Sequence, residues 1–337
     1  GFFMIASSTA IVAREEPVVP DPHSQGEIGY INPDIPVFDP PEYPGDHYEA
    51  VVPATFDLAE RARLALHGIT SMTNPNLDYE IYFVASHMAD PPALLLSNGD
   101  LACQGKFMEV LPLMRVMSGS DENMHVEKAW MEVLLRLQGP DGLIYASTIG
   151  RPWILPPNFD PASGYPGRND GYPYVCLLGY STARSLAALS IYAQKDPEGP
   201  WTEAVNKLWS GYQKVIIRDD EDAYVYNTWT APGKEVIKPE KPFGEHIYLV
   251  GSQGWIAKYL AVYDRARQVP EASELAEKMM NYNMFTVEYN EPDGKFKWGG
   301  PGVGAGEIQG QCAHFHTHAM NIIAGLYVAR QRDNEKH

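Results

Sequence analysis

The segment GQCAHFHTHAM, Gly310 to Met320, places Cys312, His314, His316 and His318 within seven positions. On a helix, His314 and His318 share one face while Cys312 and His316 share another, so the four cannot converge on one ion. A zinc site here would take one pair plus a distant ligand such as Glu307, and the chain has no HExxH or CxxC pattern to support it. The leading expectation is therefore no metal and no cofactor. A His in the first turn of a helix feels the positive helix end, which favours the neutral imidazole. Neutral His suits hydrogen bonding to hydroxyls or a base role. His314 is read as catalytic and His316 as substrate-binding.

Carboxylates supply the second chemistry. Glycoside hydrolysis uses two of them, one protonated to donate to the leaving oxygen and one to activate water or attack. Asp170 in GYPGRNDGYPY and Glu245 in KPEKPFGEH occupy equivalent places ahead of two successive helices, and they are the first acid/base pair. Asp78 and Glu80 alternate in LDYEIYF; on a strand both would face the same way. Arg168 could clamp a sugar carboxylate or form a structural salt bridge. Trp153, Tyr172, Tyr174 and His246 lie in the same loops, where aromatic faces stack on sugar rings or pack the loops down.

Positioning these residues requires a repeat. Helices rich in small apolar residues begin near Gln104, Cys176, His246 and His314, with starts 72, 70 and 68 residues apart. Between them run amphipathic helices that end in acidic turns near Asp141, Asp222 and Asp293, each followed by a short aromatic strand-like piece. A period of this size means stacked helical hairpins. The small, apolar helices form an inner ring and the charged ones an outer ring. The fold class is all-α, an (α/α) toroid of the six-hairpin type, complete or incomplete, with short strand pieces in its loops. Six hairpins would need roughly 420 residues, so the chain reads as two hairpins short: a piece of a longer product, or an open ring.

Residues 57–337 are the toroid, and helical patterning begins at FDLAERARLALHGI, with Asp57 as N-cap and Gly68 as the stop. Residues 14–56, rich in Pro and acidic residues, read as an extended arm over the core. Residues 1–13, GFFMIASSTAIVA, match a signal-peptide core in length, or an ordered apolar arm. The signal reading implies a periplasmic or extracellular protein, exported by a twin-arginine route whose signature lies upstream.

The formal net charge of −17 over 337 residues excludes nucleic acid and anionic membrane as partners. Anionic sugars are not excluded, because a local Arg outweighs the global field. Cys103, Cys176 and Cys312 stand 73 and 136 residues apart and form no disulfide framework.

The succession DLAERARLALHGIT, DYEIYF, KFMEVLPLMRVMSGS, LLRLQGPDGLIY and GRPW, closing on HFHTHAMNIIAGLYVA, resembles a group of bacterial six-hairpin proteins. They are distantly similar to the β-L-arabinofuranosidase-like glycoside hydrolases, and the resemblance covers about residues 50–330. It implies an (α/α) toroid acting on carbohydrate. The zinc-thiolate cluster of characterised β-L-arabinofuranosidases has no counterpart here.

Three functions are carried forward. The first is an exported glycoside hydrolase working on an oligosaccharide or polysaccharide. The second is a polysaccharide lyase with Tyr or His as base and Arg168 on a uronate. The third is a non-catalytic glycan-binding or assembly toroid, whose open edge a second copy or a partner would cover.

Overall fold

The computed structural model describes residues 34–40, 57–86, 93–96, 102–147, 151, 174–225, 229–230, 232–233, 250–286 and 315–332. It is all-α in character, with short antiparallel strand pieces between the helices.

The first helix, α1 (Leu58–Ser71), starts where its capping chemistry predicts: the Asp57 carboxylate accepts the Glu60 backbone N–H at 3.1 Å. It does not stop at Gly68. The helix continues to Ser71 because Leu66 and Thr70 are still buried, and Thr70 bonds back to the Leu66 carbonyl at 2.6 Å. Burial of one more turn outweighs the roughly 1 kcal/mol that a helical Gly costs relative to Ala.

Three outer helices follow, α3 (Met124–Arg136), α5 (Trp201–Gln213) and α7 (Pro270–Asn281), each amphipathic with one buried stripe. The inner helices are α2 (Ala102–Ser118), α4 (Tyr180–Lys195), α6 (Val250–Arg267) and α8 (Phe315–Arg332). Two sequence expectations shift. The segment at Cys176 is a strand that pairs with residues 229–230, and α4 begins only at Tyr180, beyond Gly179. The stretch at His246 precedes α6, which starts at Val250.

The inner helices pack in sequence order: α2 on α4, α4 on α6, α6 on α8, with α1 against α2, each outer helix against the inner helix before it, and α7 also against α8. Small side chains permit this spacing. Ala183, Ala187, Ala188 and Ser190 of α4 are all buried where the helix is enclosed by α2, α5 and α6. Gly254 of α6 touches Asn321 of α8 so closely that an added Cβ would lie 2.4 Å from the Asn321 Oδ1. Asn283 donates to that same Oδ1 at 2.7 Å. This is the helical-hairpin arrangement of an (α/α) toroid, seen in the described residues as an arc from α1 to α8.

The acidic turns have structural roles. Asp141 accepts the Leu143 N–H at 3.1 Å and the Tyr145 hydroxyl at 2.5 Å, closing the loop after α3. Gly142, at φ +90°, lets that loop press against the Lys207 carbonyl of α5; a Cβ there would sit 2.0 Å from the oxygen. Asp222 closes the hairpin of Ile216–Arg218 and Ala223–Val225. Its side chain accepts the Thr286 hydroxyl at 2.5 Å from the π-helical turn Tyr282–Thr286 that ends α7.

Under α2, α3 and α4 lies a buried charged network. Arg115 donates from Nε to Glu127 and from Nη1 to the Ser120 and Glu122 carbonyls at 3.0 and 3.1 Å. Tyr192 of α4 donates its hydroxyl to the other Glu127 oxygen. Of the extended arm, residues 34–40 are described. There Phe38 is buried edge-on against Trp201 at 4.8 Å, and Lys128 reaches Asp39 at 3.3 Å.

Candidate functional site

The contacts between inner helices join residues near the start of each. Gly105 of α2 meets the Arg184 Cβ of α4, Arg184 meets Trp255 of α6, and Gly254 of α6 meets Asn321 of α8. The N-terminal ends of the inner helices therefore lie on the same side of the arc. The loops holding Asp170, Glu245 and His314 run in sequence into those ends of α4, α6 and α8.

A polar cluster sits on this inner wall. Arg184 is only 3% exposed, and its guanidinium lies 4.4 Å from the Trp255 ring centroid. A buried Arg stacked on indole gains cation–π attraction where water cannot compete. The Tyr259 phenol lies close enough to Arg184 and Glu109 to feel both charges. Lys258 donates to Glu109 Oε1 at 3.2 Å while its ammonium rides 4.2 Å over the Tyr259 ring. The Lys258 and Glu109 side chains are 16% and 17% exposed, so this end of the cluster is reachable from solvent while Arg184 and Tyr259 form its floor. Burial, followed by the Glu109 carboxylate, pushes the Tyr259 phenol well above its ordinary range. Tyr259 is accordingly a hydrogen-bond donor and not a base at neutral pH.

Asp78 and Glu80 do come together, but not as alternating strand residues. The strand begins at Glu80, and Asp78 and Tyr79 take left-handed backbone at φ 54° and 55°. That turn swings the Asp78 carboxylate onto the same guanidinium as Glu80. Arg151 reaches Asp78 Oδ2 at 3.1 Å and Glu80 Oε2 at 2.8 Å. The turn is pinned from the other side by Trp130, whose indole N–H donates to the Tyr79 carbonyl at 2.7 Å. Glu80 is 2% exposed and Asp78 25%. The pair is clamped by a buried cation, which fixes the turn that carries both carboxylates.

Asp170, Glu245, His314, Arg168, Tyr172, His246, Trp153 and Cys312 lie outside the described residues. Tyr174 is placed in the strand Tyr174–Leu177, and His316 and His318 in the first turns of α8, by their backbone alone. Among the described residues no group of three His, Cys, Asp or Glu could hold a metal. Cys176 is a buried free thiol whose pKa burial pushes up to about 12, which makes it unreactive.

Sequence reading missed Glu109, Arg184, Trp255, Lys258 and Tyr259. A signal existed: Glu109, Arg184 and Lys258 interrupt apolar stretches of three inner helices, in FMEVLPLM, TARSLAAL and WIAKYLAVY. Lone charges on an apolar helix normally mark the solvent side. Here the charges meet partners and rings on neighbouring inner helices instead: Glu109 of α2 meets Lys258 of α6, and Arg184 of α4 meets Trp255 of α6.

No family model matches the chain, and no curated protein matches it. Among solved structures it is similar to the crystal structure of Dfg5 from Chaetomium thermophilum in complex with glucosamine. The two share 10% identity at a TM-score of 0.44, over 82% of this chain and 62% of that one. The chain thus spans less than two thirds of the length of that protein.

Proposed function

We propose that this protein is carbohydrate-active and that its site is the concave wall at the N-terminal ends of α2, α4, α6 and α8. The observation that carries this reading is the convergence of Arg184 and Trp255, from the first turns of α4 and α6, with Glu109, Lys258 and Tyr259 from midway along α2 and α6. The wall combines hydrogen-bonding charges with aromatic faces and a reachable rim. That is the composition of a site that takes a polyhydroxylated ligand, with a few placed polar groups among rings.

In its most specific form the activity is glycoside hydrolysis. In that reading Asp170 and Glu245, which precede α4 and α6 in sequence, are the acid/base pair, and His314, ahead of α8 in sequence, and His316 contact the substrate. This form agrees with the sequence resemblance to the β-L-arabinofuranosidase-like hydrolases and with the export reading of residues 1–13. The lyase reading takes its base from the Tyr or His residues of the loops, and Tyr259, which burial keeps protonated, does not serve it.

The test is a screen of arabinose-, hexose- and uronate-containing oligosaccharides for reducing ends and for ultraviolet absorbance, on the wild type and on Asp170→Asn and Glu245→Gln. Hydrolysis abolished by either substitution supports the assignment. Full activity in both variants would overturn the acid/base pair. Products with a new C=C absorbance would replace hydrolase by lyase. Glycan binding without turnover would leave the non-catalytic toroid.

A further inference from the structure

Resting on the carbohydrate reading, we propose that Glu109 and Lys258, floored by Tyr259, form a subsite that holds a pair of vicinal hydroxyls on one sugar ring.

The match is chemical and geometric. Each hydroxyl of a diol must both donate and accept. The gauche oxygens of a pyranose diol stand at about hydrogen-bonding distance from each other, about 2.8 Å. Glu109 Oε1 and Lys258 Nζ are 3.2 Å apart, so an acceptor and a donor are presented side by side at nearly the spacing of the two hydroxyls. One hydroxyl donates to the carboxylate and its neighbour accepts from the ammonium. Neither group is exhausted by the contact it already makes. The ammonium has three donors, one of which faces Glu109, and the carboxylate has about four lone-pair sites, one of which Lys258 uses.

Both groups are held in place before a ligand arrives. Glu109 is on α2 and Lys258 on α6, with α4 packed between these helices, so their separation is set by the spacing of the inner ring. The Lys258 ammonium is held over the ring of Tyr259, which is itself buried, and Glu109 is held by the Lys258 ammonium. A charged pair that is already desolvated and oriented binds hydroxyls at a lower reorganisation cost than two mobile surface groups. The 16% and 17% exposure of these side chains leaves their outer edges open to a ring lying over them.

The experiment is calorimetric titration of the whole chain with methyl glycosides of glucose, galactose and mannose and with their monodeoxy analogues. The titration is repeated on Lys258→Met and on the conservative Glu109→Gln, with circular dichroism and thermal unfolding on each variant. The expected result is binding of at least one parent glycoside. Loss of one hydroxyl of a single vicinal pair should weaken it about tenfold to a hundredfold, as for a hydrogen bond to a charged group. Each substitution should weaken the parent and erase that discrimination. Should a variant not fold, the parent-to-deoxy ratio on the wild type decides alone. Equal affinity of the wild type for parent and all deoxy analogues overturns the subsite. So does unchanged discrimination in folded variants, which would leave the pair a tie between helices while the carbohydrate reading stands. Failure of the wild type to bind any glycoside or oligosaccharide overturns both.

Discussion

Replacing Gly254 by Ala tests how the inner ring is spaced. The new Cβ would lie 2.4 Å from Asn321 Oδ1, 2.6 Å from Cγ and 2.9 Å from Cα. The amide can rotate away, but the Cα cannot, and ordinary carbon contact needs about 3.5 Å. Helix α8 must then move off α6 by about 0.5 Å, an overpacking cost of about 1–3 kcal/mol. Rotation of Asn321 also breaks its bond from Asn283, worth about 1 kcal/mol. Ala returns about 1 kcal/mol through helix propensity. The net expectation is a loss of about 1–3 kcal/mol, or a fall in Tm of roughly 1–4 °C for a chain of this size. Gly68→Ala is the control, since that glycine is helical, exposed and has nothing within 4 Å of the added Cβ. It should gain up to about 1 kcal/mol by propensity alone. Urea unfolding of both variants, with amide exchange across Met320–Val328, measures the pair. If Gly254→Ala is as stable as wild type and exchange on α8 is unchanged, the close approach does not set the ring spacing.

Three further outcomes follow from the same geometry. Arg115→Met strands the buried Glu127 charge and should cost about 3–5 kcal/mol; adding Glu127→Gln should recover part of that in urea unfolding. Arg151→Met leaves Asp78 and Glu80 facing each other without their cation, so the left-handed turn should loosen, read as faster amide exchange at 77–82 and as destabilisation in thermal melts. Burial raises the Asp222 carboxyl above its ordinary value of 3.8, against the opposing bond from Thr286. The folded state therefore binds the proton more tightly than the unfolded chain, and the stability it contributes is present at low pH and lost as pH rises through the raised value. Asp222→Asn should flatten that part of the profile, so its urea midpoint should gain on wild type between about pH 4 and pH 7.

The repeat was legible because helical periodicity and the alternation of small-residue and amphipathic helices are local properties. The Asp57 cap was legible for the same reason. Gly68 misled, since the burial of Thr70 that carries α1 onward depends on the neighbouring helices. Asp78 and Glu80 were rightly read as neighbours, yet the cause is a left-handed turn and a cation 71 residues from Glu80, which no strand pattern contains. The inner-wall cluster was hidden for a related reason. Glu109 and Lys258 are 149 residues apart, and their meeting depends on the distance between α2 and α6 across α4. Sequence spacing measures position along one helix and carries nothing about that distance.

The π-helical turn Tyr282–Thr286 has a consequence for how this chain tolerates changes in length. Such a turn holds one residue more than regular α-helix needs. Its residues point three ways: Tyr282 stacks on Tyr224 at 4.8 Å, Asn283 reaches Asn321, and Thr286 reaches Asp222. Deleting a single residue there would restore an ordinary helix and rotate the rest of the turn by about 100°. Asn283 and Thr286 could not both keep their partners on α8 and the hairpin. A deletion that a surface loop would absorb would, at this turn, release α7 from one of the two elements it ties together.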